Sequence, residues 1–302
     1  MPRPARPSRA ANAAPPVAEA RYRTLIGTTD LQRHLGDPAF VIVDVRHDLG
    51  KPDAYGREAY AQAHVPGAVF AHLDRDLSAP MTGRNGRHPL PSPEAAAAVF
   101  GRLGIDATRQ VVAYDQGSGV YASRLWWMLR WLGHENAAVL DGGFAKWTGE
   151  GRPTERESRA ATATRFVPGR VRPTVNAAGI AASLPRHDLV LLDARAAERY
   201  RGDVEPLDPA AGHIPGALNR PHSRNVSADG TFRSASELRA EFEAMLHGRS
   251  PADVVNYCGS GVSACHNVLA MTIAGYPLTR LYPGSWSEWC ADPKRPVARG
   301  QV

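Results

Sequence analysis

The chain reads as an α/β protein of two tandem domains, each a mainly parallel sheet flanked by helices. Three observations predict this. Short apolar runs ending in polar turns alternate with segments of helical periodicity, the pattern of buried parallel strands and their covering helices. The pattern is written twice: Val41-Ile42-Val43-Asp44-Val45-Arg46 returns as Val190-Leu191-Leu192-Asp193-Ala194-Arg195, 149 residues later. At the same offset His64-Val65-Pro66-Gly67-Ala68 returns as His213-Ile214-Pro215-Gly216-Ala217. Finally, 302 residues with 43% hydrophobic content suffice for two cores.

In chain order, residues 1–22 carry Pro2, Pro4, Pro7, Pro15 and Pro16 and lack the apolar core of a secretory signal. The prolines also break the amphipathic helix of an organellar transit peptide, so a disordered tail is expected. The first domain, 23–150, places a strand at Val41–Val45 and a helix start at Ser92-Pro93-Glu94. A second strand follows at Val111–Tyr114. Tyr121, Leu125, Met128, Leu129 and Leu132 then fall on one helical stripe. The half closes on Gly142-Gly143-Phe144-Ala145-Lys146-Trp147. Residues 151–173, rich in Arg, Pro, Thr and Gly, read as a linker. In the second domain, 174–302, Ser234-x-x-Glu237 is a capping-box pattern. Val254-Val255-Asn256-Tyr257-Cys258 matches Val111-Val112-Ala113-Tyr114-Asp115 at an offset of 143, and Gly284-Ser285-Trp286-Ser287-Glu288-Trp289 repeats the aromatic close.

The net charge of +6 is confined to the tail, with four arginines against Glu19, and to residues 150–173, with six arginines against three glutamates. The remainder is formally neutral, which argues against a nucleic-acid partner. No stretch approaches the ~20 apolar residues of a membrane span. Three cysteines, an odd and small number, lack paired metal-ligand spacing and fit a reducing compartment. A cytoplasmic protein without metal is expected.

Cys258 is the candidate nucleophile. It ends an apolar strand and opens Gly259-Ser260-Gly261-Val262-Ser263-Ala264, a glycine-rich turn leading into a helix. There unpaired backbone N–H groups and the positive end of the helix dipole favour an anion, and the glycines let successive amides turn inward. The repeat supplies an internal control: features in both halves are architectural, and features in one are candidates for chemistry. Asp44 and Asp193, and the two His-x-Pro-Gly turns, are thus read as loop-pinning. The sharpest difference is Cys258 against Asp115. Cys265 lies on an apolar stripe with Val268 and Leu269 and is read as packing, as is Cys290. Trp286 and Trp289 wall a pocket or fill the core.

Two tandem copies, the Cys-Gly-Ser-Gly-Val-Ser-Ala loop and the His-x-Pro-Gly turns together resemble the two-domain rhodanese family of sulfurtransferases over about residues 23–290. The neutral loop is similar to that of its 3-mercaptopyruvate-using branch; thiosulfate-specific members carry basic residues where Gly259 and Ser260 stand. The resemblance implies two rhodanese-like domains, a cofactor-free ping-pong reaction through a Cys258 persulfide, and a loop of Gly259, Gly261, Val262 and Ser263 around the cargo. It also implies a small-molecule sulfur donor and a thiol acceptor such as thioredoxin, or cyanide. The family's Ser-His-Asp group falls on Ser260, His64 and Asp53, with Asp53 eleven residues before His64. Against this, His64 has a copy, His213, and both are equally suited to fastening a turn. Of the family's two substrate-binding arginines, the first matches Arg199. The second follows a Glu-Pro pair, and here Glu205-Pro206 is followed by Leu207, leaving Arg201 as substitute. Three alternatives stand beside this reading: thiosulfate as donor, a non-catalytic binding module, and a phosphatase. The last lacks an arginine six residues after the cysteine, where Ala264 stands.

Overall fold

In a computed structural model, residues 22–51, 53–156 and 160–300 are described; the expected tail, but for Tyr22, lies outside them. The apolar runs form the middle of each sheet. In the N-terminal half β1 (Leu25–Ile26), β2 (Phe40–Asp44), β3 (Val69–Phe70), β4 (Gln110–Tyr114) and β5 (Ala137–Leu140) lie in the order β1-β5-β4-β2-β3, every pair parallel. In the C-terminal half β6 (Val190–Asp193), β7 (Leu218–Asn219), β8 (Val254–Tyr257) and β9 (Arg280–Leu281) lie in the order β7-β6-β8-β9, again all parallel. Val41 pairs with Val111 and Val190 with Val254, so the repeat in sequence is also a repeat of register. Strands buried on both faces explain why the runs are continuous rather than alternating.

The helix starts behave as their caps dictate. Ser92 Oγ accepts from the Ala95 amide at 3.2 Å ahead of the helix Pro93–Arg102. Ser234 and Glu237 close a complete capping box on Ala235–Leu246. The helices that follow the two strand-end loops, Val120–Trp131 and Ser263–Ile273, pack on each other. One apolar cluster, including Leu125, Met128, Val268 and Leu269, therefore runs through both halves. Each such buried side chain contributes roughly 1.5–3 kcal/mol, so the halves share their stability.

The paired motifs do fasten loops. Asp44 and Asp193 are fully buried; each binds the arginine two residues on, and that arginine reaches a carbonyl in the next turn, Arg46 to Ala63 at 2.6 Å and Arg195 to Gly212 at 2.7 Å. His64 stacks on Tyr60 and bonds its carbonyl at 2.7 Å; His213 does the same to Tyr200 at 2.8 Å. Each also forms a backbone bridge, to Glu155 and Ala298 respectively. The described part of the linker is strapped to the N-terminal half. Phe166 is buried edge-on against Phe100, and the amides of Thr164, Gly169 and Arg172 donate to Gly101, Leu132 and Trp131.

Candidate active site

The Cys258 loop is laid against the turn that follows β9. The Cys258 amide donates to Ser285 Oγ at 3.1 Å, and its carbonyl accepts from the Trp286 amide at 2.9 Å. Gly261 sits at φ +81°, with the position of a Cβ only 2.3 Å from the Pro283 carbonyl oxygen, so glycine alone fits there. That conformation aims the Gly261 amide at Cys258 Sγ, 3.1 Å away. Cys258, Gly259, Ser260, Val262 and Ser263 line a cavity of about 430 Å³ at the boundary of the halves. Gly261 holds the loop from behind. The opposite wall, with Arg87, His88, Asp115 and Tyr121, belongs to the N-terminal half.

Ser260 does meet a histidine and an acid, but not those expected. Its hydroxyl donates to His88 Nδ1 at 2.7 Å, and His88 Nε2 donates to Asp74 Oδ1 at 3.1 Å. A carboxylate accepts only, which fixes the proton of the neutral ring on Nε2 and leaves Nδ1 free to accept. The hydrogen bond from His88 holds the Asp74 carboxyl below the usual carboxylate range. His64 is not brought to Ser260: it is fully buried, its Nδ1 is spent on the Tyr60 carbonyl, and Nε2 lies 3.4 Å from Glu155. Asp53 is also displaced; half exposed, it binds Arg75 and lies 3.0 Å from His72 Nε2. His72 in turn accepts the Asp74 amide on Nδ1 at 3.1 Å, so Asp53 braces the relay from outside. The repeat held the signal for this. At the 149-residue offset His88 and Asp74 meet Glu237 and Ser223, so neither has a copy.

Arg199 lines the cavity, with Nη2 2.6 Å from Glu205 Oε1 and 3.3 Å from Asp208 Oδ2. Arg201 does not: it pairs with Asp203 at 2.7 Å and borders a separate hollow beside Asn219. Leu207 is exposed. Arg195 also lines the cavity, held by Asp193, and the cation that joins Arg199 on Asp208 is Arg87, bound to the other oxygen of that carboxylate. Sequence periodicity had no hold on it, because it lies in an irregular loop of the other half.

Arg124 is a further residue missed from sequence. Fully buried on the helix Val120–Trp131, it donates to the carbonyls of Gly261 (3.1 Å), Leu77 (3.3 Å) and His88 (3.3 Å). Among the described residues no carboxylate pairs with it, and burial pushes its pKa down, opposed by the nearby Cys265 and Cys258 sulfurs. It ties the loop of His88 to the loop of Cys258. Cys265 and Cys290 are packing residues; burial pushes their thiols up to about 12 and about 11. Trp286 and Trp289 are fully buried core.

Among the described residues, one triple offers metal-ligand chemistry, His47, His72 and Asp74. Two of its members already have partners, His72 in Asp53 and Asp74 in His88. No helix of the described residues is long and apolar enough to cross a membrane.

Comparison with known proteins bears on the family and the fold. A family model described as "Rhodanese-like domain" matches residues 28–150 and again 177–292. A Pseudomonas aeruginosa protein named as a probable 3-mercaptopyruvate sulfurtransferase is 46% identical over 91% of this chain and 98% of its own length. A Bos taurus protein named thiosulfate sulfurtransferase is 34% identical over 94% of this chain and 98% of its own. The crystal structure of Escherichia coli SseA, presented as a 3-mercaptopyruvate sulfotransferase, superposes with a TM-score of 0.75 at 31% identity, covering 88% of this chain and 99% of that one.

Proposed function

Since the chain belongs to the rhodanese family, we propose that it is a sulfurtransferase that takes sulfur from 3-mercaptopyruvate onto Cys258 and passes it to a thiol or to cyanide. The observation that carries this is the Cys258 thiol opening onto one cavity with Arg87 and Arg199, and with Ser260 and His88, the latter backed from outside the lining by Asp74.

The chemistry follows from those positions. Cys258, as thiolate, attacks the donor's sulfur; the donor's carbon–sulfur bond breaks, and its electron pair leaves as the enolate of pyruvate. The proton on the donor sulfur passes through Ser260 to His88 Nδ1 and returns to the enolate carbon, so the products are pyruvate and a Cys258 persulfide anion. Asp74 holds the ring and stabilises its charged form in between. The persulfide lies in the loop of Gly259, Gly261, Val262 and Ser263, with the Gly261 amide facing sulfur. An acceptor thiolate or cyanide then attacks the outer sulfur, and Cys258 departs as thiolate. A small dithiol protein of the thioredoxin type is the acceptor class we favour. Three free cysteines support action in a reducing compartment, which we take to be the cytoplasm.

Thiosulfate is the second reading, supported by relatives carrying that name. The test is kcat/KM for both donors with cyanide as common acceptor. Wild-type protein is expected to prefer mercaptopyruvate and to gain one sulfur atom by mass in the absence of acceptor. Cys258→Ser is expected to lose at least about 10⁴-fold in turnover with either donor. Sulfur transfer surviving in that variant would end the proposal.

A further inference from the structure

Of the three arginines lining the cavity, Arg195 is held by Asp193 and Glu205, and the other two come from different halves. Arg87 precedes His88 in the N-terminal half, and Arg199 lies on the short helix Ala197–Arg201. A Cβ on Gly259 would stand 2.7 Å from Arg87 Nη2, and 3.5 and 3.7 Å from Arg199 Nη1 and Nη2. Both groups are thus poised over the residue next to the nucleophile.

They share one anion. Asp208, whose side chain is 3% exposed, gives Oδ1 to Arg87 and Oδ2 to Arg199. Glu205, equally buried, takes Arg199 at 2.6 Å and Arg195 at 3.4 Å, and Arg195 already belongs to Asp193. The Arg87 amide is held by Ser287 Oγ of the C-terminal half at 3.1 Å, so the loop carrying it is docked across the boundary. Donors remain. Arg199 Nε is buried without a hydrogen-bond partner among the described residues, and Arg87 has no acid but Asp208 there.

We propose that Arg87 is a donor-binding residue, forming with Arg199 a clamp across the two halves for a single planar carboxylate. Asp208 spaces the two forks and, by its buried charge, disfavours donors carrying two negative charges. The assignment of the donor rests on the sulfurtransferase reading above. Two guanidinium forks meeting one carboxylate give charge-assisted, directional hydrogen bonds that a lysine cannot reproduce. Asp208 and Glu205 offset both cations, so the clamp acts through directional donors rather than net charge, and a dianion brings a second charge close to Asp208 in a poorly screened cavity.

The experiment combines kinetics with binding, on the full chain. Arg87→Gln is expected to raise KM for mercaptopyruvate about thirtyfold while kcat changes less than about threefold; Arg87→Lys is expected to recover only part of the loss. Asp208→Asn is expected to shift the kcat/KM ratio about tenfold toward thiosulfate. Titration of pyruvate and thiosulfate into the Cys258→Ser background, by calorimetry, reads the clamp without turnover: adding Arg87→Gln is expected to weaken pyruvate binding by a similar factor. Thermal melts identify variants that have lost the fold, and Asp208→Asn, close in shape, is the arm least exposed to that fate. Pyruvate affinity independent of Arg87, or a donor ratio unmoved by Asp208→Asn, overturns the clamp. A wild-type protein inactive with both donors, yet binding pyruvate through Arg87, overturns the sulfurtransferase reading and leaves the clamp standing.

Discussion

The loops after β4 and β8 start alike: each follows a tyrosine in the same register of its sheet, and each feeds a helix that packs on the other. They differ in what fills them. In the N-terminal loop the Asp115 carboxylate accepts four backbone amides, from Gly117 and Gly119 at 3.0 Å, Tyr121 at 2.8 Å and Ala122 at 3.3 Å. In the C-terminal loop Cys258 Sγ takes the Gly261 amide and faces an open cavity. One cradle therefore carries its own permanent anion, and the other holds a thiol facing a cavity, where the proposed reaction loads and releases a second sulfur. The first half, which has no thiol there, lays Arg87 and His88 against the cavity, with Asp74 and Arg124 hydrogen-bonded to His88.

The largest effect expected beyond the nucleophile itself separates two histidines of the same half. His88→Asn is expected to lower kcat by about 10²–10³-fold with little change in melting temperature. His64→Asn is expected to destabilise by about 1–3 kcal/mol, read by denaturant melts, and to leave kcat/KM of the folded protein within about twofold. The reverse result would return the relay to His64. Next comes Asp115→Asn, which puts amide donors where amide donors already point; a loss of about 1–3 kcal/mol in chemical denaturation is expected. An unchanged midpoint would show that the plugged cradle is not a source of stability. The smallest effect concerns the thiols. Iodoacetamide at pH 8 is expected to label Cys258 through the cavity and to spare Cys265 and Cys290, whose thiols, raised to about 12 and about 11, carry little thiolate there. Peptide mapping with label on Cys265 would contradict that assignment.

Strands, capped helices and the Cys258 loop were legible because each is written locally. Val41–Val45 is apolar at every core position but one, Ser234 and Glu237 reciprocate within one turn, and Gly261 is demanded by a single φ angle. The histidine and acid that meet Ser260 were not, because nothing local marks them. Asp74 and His88 are fourteen residues apart, not eleven, on a four-residue helix and an irregular loop. Only the docking of one half on the other brings them to Ser260. The same holds for Arg87, which meets Arg199 on Asp208 while Arg201 pairs with Asp203 and Leu207 is exposed. The repeat could have excluded His64 at once, since a residue with a copy that does the same task, His213, has its explanation already.

Arg124 threads from one half to grip carbonyls in both, and neither half contains a finished site. Severed in the linker, the chain would not yield a smaller enzyme and an inert remnant. It would yield two inactive fragments whose joint activity rises with the product of their concentrations, as for any two-component assembly below its dissociation constant. Joining them in one polypeptide replaces that dependence with a fixed, high effective concentration of each half for the other.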